Sequence, residues 1–93
     1  MQDVVSGVCG IFSVSQEEMV GKSRRKNIAE ARQVAAYMAR EVLDMPLSEI
    51  GVHLGVRDHT TIMHAHKKVS ELLKKDDKFK SRVDIIYNEL NLS

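Results

Sequence analysis

The stretch "LSEIGVHLGVRDHTTIMHAHKK", Leu47 to Lys68, decides the fold. Its first half puts Ile50 and Leu54 one helical turn apart and then meets Gly55, a residue that ends helices because it enters the left-handed region without steric cost. Asp58 follows as a candidate N-cap, and from there Ile62, Ala65, Val69, Leu72 and Leu73 recur at helical spacing. Two helices joined by a short glycine-containing turn have the proportions of a helix-turn-helix. In that motif the first helix braces and the second puts its N-terminal residues into a DNA major groove. Thr60, His64, Lys67 and Glu71 fall opposite the apolar stripe, on the side such a reader needs polar. The start of the second helix also carries a partial positive charge that favours phosphate.

Working outward, the 3.6-residue period continues in both directions, and the chain reads as all-α, a compact helical domain of five to six helices. Val4, Val8, Ile11 and Phe12 share one face of a first helix, about residues 1–14, which Gly7 and Gly10 weaken. Ser15 with Glu18 three residues on predicts a capping box for a short helix that Gly21 ends. "KSRRKN" is a basic connector, and Asn27 with Glu30 predicts a second capping box. The helix it opens carries Ile28, Ala31, Ala35, Met38 and Val42 on one stripe and stops before Pro46; about eighteen residues would span about 27 Å. The helix-turn-helix occupies about 48–75, and Phe79, Val83, Ile86 and Leu90 face inward from a last helix. Residues 1–93 are expected to form one domain.

Composition narrows the function classes. A chain of 93 residues buries only on the order of 60 to 65 % of its unfolded surface, so a spacious, deeply buried active site is not expected. One cysteine, Cys9, excludes an internal disulfide, and neither a membrane-spanning run nor a signal-peptide pattern is present, so the expectation is a soluble, intracellular chain. Net charge is +1, but residues 20–75 hold eleven Lys or Arg against six Asp or Glu, and the two ends are acidic. A basic middle of this kind suits a polyanion.

Other chemistries fit poorly. "GKS" at Gly21 to Ser23 looks like the end of a phosphate-binding P-loop, yet the earlier glycine that loop needs is replaced by Gln16, and no apolar strand leads in. His59, His64 and His66 do not share one helical face, apart from the pair His59 and His66, so a metal is not expected and His66 reads as a core-edge residue. Thr60, His64 and Asp58 on an exposed helix end have nothing to exclude water, which argues against a hydrolytic nucleophile.

"GVRDHTTIMHA" closely resembles the signature of bacterial DnaA, the chromosomal replication initiator family, and "ARQVAAYMAREVLDMPLSEIG" is similar to the helix and brace that precede it. The resemblance runs from about Val4 to Leu90 and corresponds to the family's C-terminal DNA-binding domain, with the ATPase domain upstream and outside this chain. It implies no enzyme activity here, no cofactor in this domain, and ATP only for the parent protein's missing domain. It implies sequence-specific binding of double-stranded DNA at DnaA-box elements of the replication origin, for initiation of chromosome replication, by a cytoplasmic protein at the bacterial nucleoid. The implied partners are double-stranded DNA, the parent protein's upstream ATPase domain and, for the parent protein, acidic phospholipid; the isolated domain is expected to be monomeric, and the native status of Met1 stays open.

By the same resemblance, Asp58, His59 and Thr60 contact base edges in the major groove and Arg24 enters the minor groove, Arg25 substituting if the register slips by one. The chemistry agrees: a carboxylate accepts from cytosine N4, a threonine methyl packs on a thymine methyl, and a guanidinium suits a narrow A·T-rich minor groove. Asp58 also reads as a plain helix cap, and the two roles are compatible. Arg32 and Gln33, which open the long helix where donors and backbone N–H groups can meet phosphate, are candidate phosphate contacts, as are Arg40, Arg57, Thr61 and Lys68, with a solvated face as the alternative for Arg40 and Lys68. The sequence departs from the family at Val56, where a glycine is usual, and at Pro46, where a capping serine is frequent; the cap then falls to another residue such as Asp44. Two rivals share parts of this pattern. One is a dimeric helix-turn-helix regulator; the other is a docking module that uses the apolar first helix, against whose anchoring to anionic lipid the acidic ends argue.

Overall fold

The computed structural model describes residues 2–21, 25–55 and 58–90, and six helices account for most of them. They are α1 Gln2–Phe12, α2 Gln16–Val20, α3 Lys26–Glu41, α4 Leu47–Leu54, α5 His59–Lys75 and α6 Asp77–Glu89. No strand occurs among the described residues. The all-α expectation with a helix-turn-helix therefore holds, α4 and α5 being its two arms.

The local chemistry of the helix ends explains most boundaries. Ser15 and Glu18 form the expected capping box: the Ser15 hydroxyl accepts from the Glu18 N–H at 3.0 Å, and the Glu18 carboxylate accepts from the Ser15 N–H at 3.0 Å. At the end of α1, Ser13 adopts a φ of 57° and the Val14 N–H returns to the Cys9 carbonyl at 3.0 Å, which is a Schellman closure with buried Val14 as its apolar contact. Asp76 ends α5 and caps α6, its carboxylate accepting from the Phe79 N–H at 3.1 Å, so the two helices meet without a loop.

Three expectations are corrected. The Asn27–Glu30 box does not form, because α3 starts at Lys26 with Arg25 at the cap position, two residues earlier than a cap at Asn27 requires, and the Ala29 N–H bonds to the Arg25 carbonyl at 2.9 Å; Asn27 lies inside the first turn. The same helix has 16 residues instead of eighteen, ending at Glu41. Asp44 then takes a φ of 50° and the Met45 N–H bonds back to the Ala39 carbonyl at 3.2 Å, while Arg40 Nη1 donates to the Met45 carbonyl at 3.1 Å. Nor does Asp44 cap α4: Pro46 occupies that position, and no side chain caps the helix. Packing must hold α4 instead, since eight residues are too few for a helix stable alone.

Helix α3 is the centre, packed against α1, α2, α4 and α5. It buries Ile28, Val34 and Met38 together with Ala31, Ala35, Ala36 and Ala39, wider than the single stripe the sequence suggested. Those alanines let neighbouring helix axes come close, and α5 uses this to seat Ile62, Ala65 and Val69 on the core. Each fully buried aliphatic side chain contributes about 1.5 to 3 kcal/mol through removal of apolar surface from water. Helix α1 buries Val4, Val5, Val8, Cys9 and Phe12, so the apolar face that the docking rival needs is taken up by this chain's own core. Gly7 helps: a Cβ there would sit 3.3 Å from Ile86 Cγ2, where α6 approaches α1. The Arg82 guanidinium covers the Phe12 ring at 4.1 Å on the same side.

The capping box makes stability depend on acid. Hydrogen bonds from the Ser15 backbone N–H and then its side chain, with a smaller aid from Arg25, hold the Glu18 carboxyl below its ordinary value. A carboxylate whose folded pKa is depressed contributes stability that is complete above its unfolded pKa and is lost as pH falls through the folded pKa. Glu18→Gln keeps an acceptor in the box but has no such titration. Thermal unfolding over an acid pH series is expected to show the variant less stable than the parent at neutral pH, with the gap closing in acid. A gap independent of pH would show that the carboxylate is not what holds the box.

Candidate nucleic-acid interface

The turn between α4 and α5 sets where the candidate residues point. Gly55 lies in the left-handed region, φ 68° and ψ 24°, and its N–H closes α4 on the Gly51 and Val52 carbonyls. It is also crowded: a Cβ at this position would lie 2.7 Å from the carbonyl oxygen of Val20, at the end of α2. Glycine is therefore required twice over, by conformation and by contact.

Past the turn, Asp58 has extended backbone and its Oδ1 accepts from the Thr60 N–H at 2.9 Å, while the Thr61 N–H meets the Asp58 carbonyl at 3.1 Å. The expected cap is thus present. The side chain is exposed, and among the described residues no donor reaches Oδ2. His59, Thr60 and Thr61 are exposed on the first turn of α5, with buried Ile62 directly behind them. Further along, His64, Lys67 and Lys68 are exposed, Lys68 more than two turns from the helix start. One end of a core-seated helix thus presents threonine hydroxyls and methyls, an imidazole and a carboxylate, backed by a positive helix terminus.

The other predicted residues divide. Gln33 is partly buried on α3 and shares an apolar-floored groove with Arg32, Leu54 and Thr61, so α3 and the start of α5 border one surface. Arg40 is exposed but donates to the Met45 carbonyl, bracing the α3–α4 turn. Arg32 is committed further: Nε donates to the Met19 carbonyl at 2.7 Å, and Nη2 to the Glu18 and Gly21 carbonyls at 3.1 and 2.9 Å. Arg24, Arg57 and the family departure at Val56 lie outside the described residues.

The histidines separate in the way their spacing suggests. His59 and His64 are exposed, whereas His66 is half-buried, its Nε2 2.5 Å from Glu41 Oε1 and its ring centroid 5.0 Å from that of Tyr37. His66 therefore ties α5 to α3 at the core edge. Burial, and secondarily the Glu41 carboxylate, push the Tyr37 hydroxyl above its ordinary pKa, so it stays neutral beside the pair.

Residues 1–69 match a family described as bacterial dnaA protein helix-turn-helix. The chain belongs to that family. The match covers α1 to α4 and most of α5, and so contains the whole helix-turn-helix and the α3 surface beside it. The DnaA helix-turn-helix is a DNA-binding domain and not a catalytic one, and double-stranded DNA is the ligand class of this fold in DnaA. Two features of the site leave no local signal in the sequence. The Arg32 clamp spans 11 to 14 residues to carbonyls that any residue could supply, and the contact of Val20 with Gly55 is one of backbone with backbone.

Proposed function

We propose that this domain reads DnaA-box elements in double-stranded DNA at the replication origin, as a monomer, and thereby serves initiation of chromosome replication. The observation that carries the reading is the first turn of α5, where exposed His59, Thr60 and Thr61 follow the Asp58 cap and are backed by Ile62 in the core. Asp58, His59 and Thr60 would meet base edges in the major groove, and Arg24 the neighbouring minor groove. Gln33, Arg40, Arg57, Thr61 and Lys68 would meet phosphate, and Arg32, next to Gln33 on α3, is a further candidate for that contact. In this reading ATP belongs to an upstream domain of the parent protein, this domain needs no cofactor, and the site of action is the nucleoid in the cytoplasm; a contact of the parent protein with acidic phospholipid is a further part of the family resemblance.

The test is titration of the domain with a duplex carrying one DnaA box and with a shuffled duplex, over a salt series. Tight binding to the box alone, in a one-to-one complex by sedimentation, is expected, since one helix and one loop read each asymmetric element. A two-to-one complex on a single box would favour the dimeric regulator. Equal affinity for both duplexes would end the sequence-specific reading.

Within that assay, reading and holding separate along α5. Thr60→Ala removes the hydroxyl and one methyl branch at the groove end, so specific binding should weaken by about 1 to 3 kcal/mol while the shuffled duplex is bound as before. Lys68→Ala, at backbone height, should weaken both duplexes together and lower the salt slope by about 1, because one counterion fewer is displaced. If Thr60→Ala weakens both equally, α5 does not enter the groove by its N-terminus. Arg24→Ala should cost about 1 to 3 kcal/mol, chiefly on boxes with A·T-rich flanks. An unchanged affinity would move that role to Arg25 or to no loop residue.

A further inference from the structure

Helix α2 has five residues, so nearly all its carbonyls lack a partner within the helix. Its end is not closed in the usual way either: Gly21 is extended, with φ −81° and ψ −174°, and its N–H reaches only the Glu18 carbonyl at 3.2 Å. The missing donors come from α3. The Arg32 guanidinium supplies Nε to Met19 and Nη2 to Glu18 and Gly21, a planar fork gripping carbonyls on both sides of Val20. Met19 is fully buried, which fixes α2 from beneath. Val20, thus held, presents its own carbonyl to Gly55 so closely that no Cβ fits between them. The same arginine borders the groove that Thr61 and Ile62 of α5 also line.

We propose that Arg32 is a positioning residue of the helix-turn-helix, acting through the end of α2 on the Gly55 turn and so fixing the direction in which α5 leaves it. The inference deepens the DNA-binding reading and rests on it for its functional consequence. Its chemical content differs from the phosphate contact for which Arg32 is otherwise a candidate, and it takes the place of that role: with three guanidinium N–H donors on three carbonyls, the side chain orders the reader from inside the protein.

The experiment compares the parent domain with Arg32→Ala and Arg32→Lys by amide hydrogen exchange without DNA, and by binding to box and shuffled duplexes over a salt series. Faster exchange at Gly55 and at residues 58–62 is expected in both variants, because an ammonium cannot reproduce the fork. Box affinity should fall roughly tenfold or more with the salt slope unchanged, as for loss of a charge-assisted set of hydrogen bonds in the protein. Unchanged exchange in the turn overturns the proposal. So does a slope lowered by about 1 in Arg32→Ala and restored in Arg32→Lys, the signature of a phosphate contact. Arg32→Lys keeps a charge and an aliphatic stem, so it carries the test if Arg32→Ala does not fold. Exchange in DNA-free protein tests the positioning, and discrimination by the parent domain tests the DNA-box reading, so the failure of one is not mistaken for failure of the other.

Discussion

Replacing Gly55 by alanine is expected to lower the stability of the domain by roughly 2 to 5 kcal/mol, combining the left-handed cost of a residue with a Cβ and the strain of overpacking. The first part follows from the φ of 68°, and the second from the carbonyl oxygen of Val20, 2.7 Å from where the methyl would stand. Backbone cannot swing aside as a side-chain tip can, and Arg32 holds the residues on either side of Val20. Relief must come from displacing α2 or from reopening the turn, and either moves the start of α5. Urea unfolding measures the loss, and Gly55→Asn apportions it. Asparagine tolerates the left-handed region but still carries a Cβ, so if the contact dominates it should be nearly as damaging as alanine. Recovery of most of the stability by asparagine would assign the cost to conformation alone. A loss under about 1 kcal/mol in Gly55→Ala would mean that the turn has neither constraint. Weakened box binding should accompany the stability loss even at temperatures where the variant is folded, because the reader then leaves the turn at a changed angle.

How far the sequence reached depends on the range of the interactions concerned. The helix-turn-helix, the Ser15–Glu18 box, the Asp58 cap and the Gly55 stop rest on residues within a turn or two of each other, and each was legible because side-chain type and spacing determine the bond. Apolar periodicity likewise marked Ile28, Ile62, Phe79 and Ile86 as core. The failures have one cause in common. Asn27 and Asp44 are good caps by type, but competing backbone bonds decided where α3 began and how it ended, and no local rule ranks those alternatives. Arg32 illustrates the same limit at the site. A basic residue near the start of a helix reads as a candidate phosphate ligand, and only the folded chain adds the three carbonyls of α2 and its C-cap to which the guanidinium donates. The first helix was ambiguous as well, because an apolar face does not say whether it is covered from inside or outside the chain; here α3 and α6 cover it.

The brace helix should be the most sensitive to a single truncation in its interior, and Ile50→Ala is expected to cost about 2 to 5 kcal/mol. Helix α4 has eight residues, no side-chain cap, and only Ile50, Gly51 and Leu54 buried. Its helical form therefore depends chiefly on two large side chains, Ile50 and Leu54, both at most 1 % exposed, with partly buried Leu47 beside them. Removing one leaves a cavity where α4 packs on α3 and α5 and takes away a large part of what holds the helix down, so the neighbours cannot collapse onto the gap without tilting α4. Val52, two residues on, supplies the comparison because it is 81 % exposed on the same helix. Val52→Ala should stay within about 0.5 kcal/mol of the parent in the same urea unfolding series. Equal losses at the two positions would mean that helix propensity, and not burial, holds the brace. If the brace sets the reader, Ile50→Ala should also lose box-over-shuffled discrimination below its unfolding transition, whereas Val52→Ala keeps it. Ile50 is fully buried and is not itself a predicted DNA contact, so loss of discrimination there would arise from the orientation of α5 and not from a missing contact.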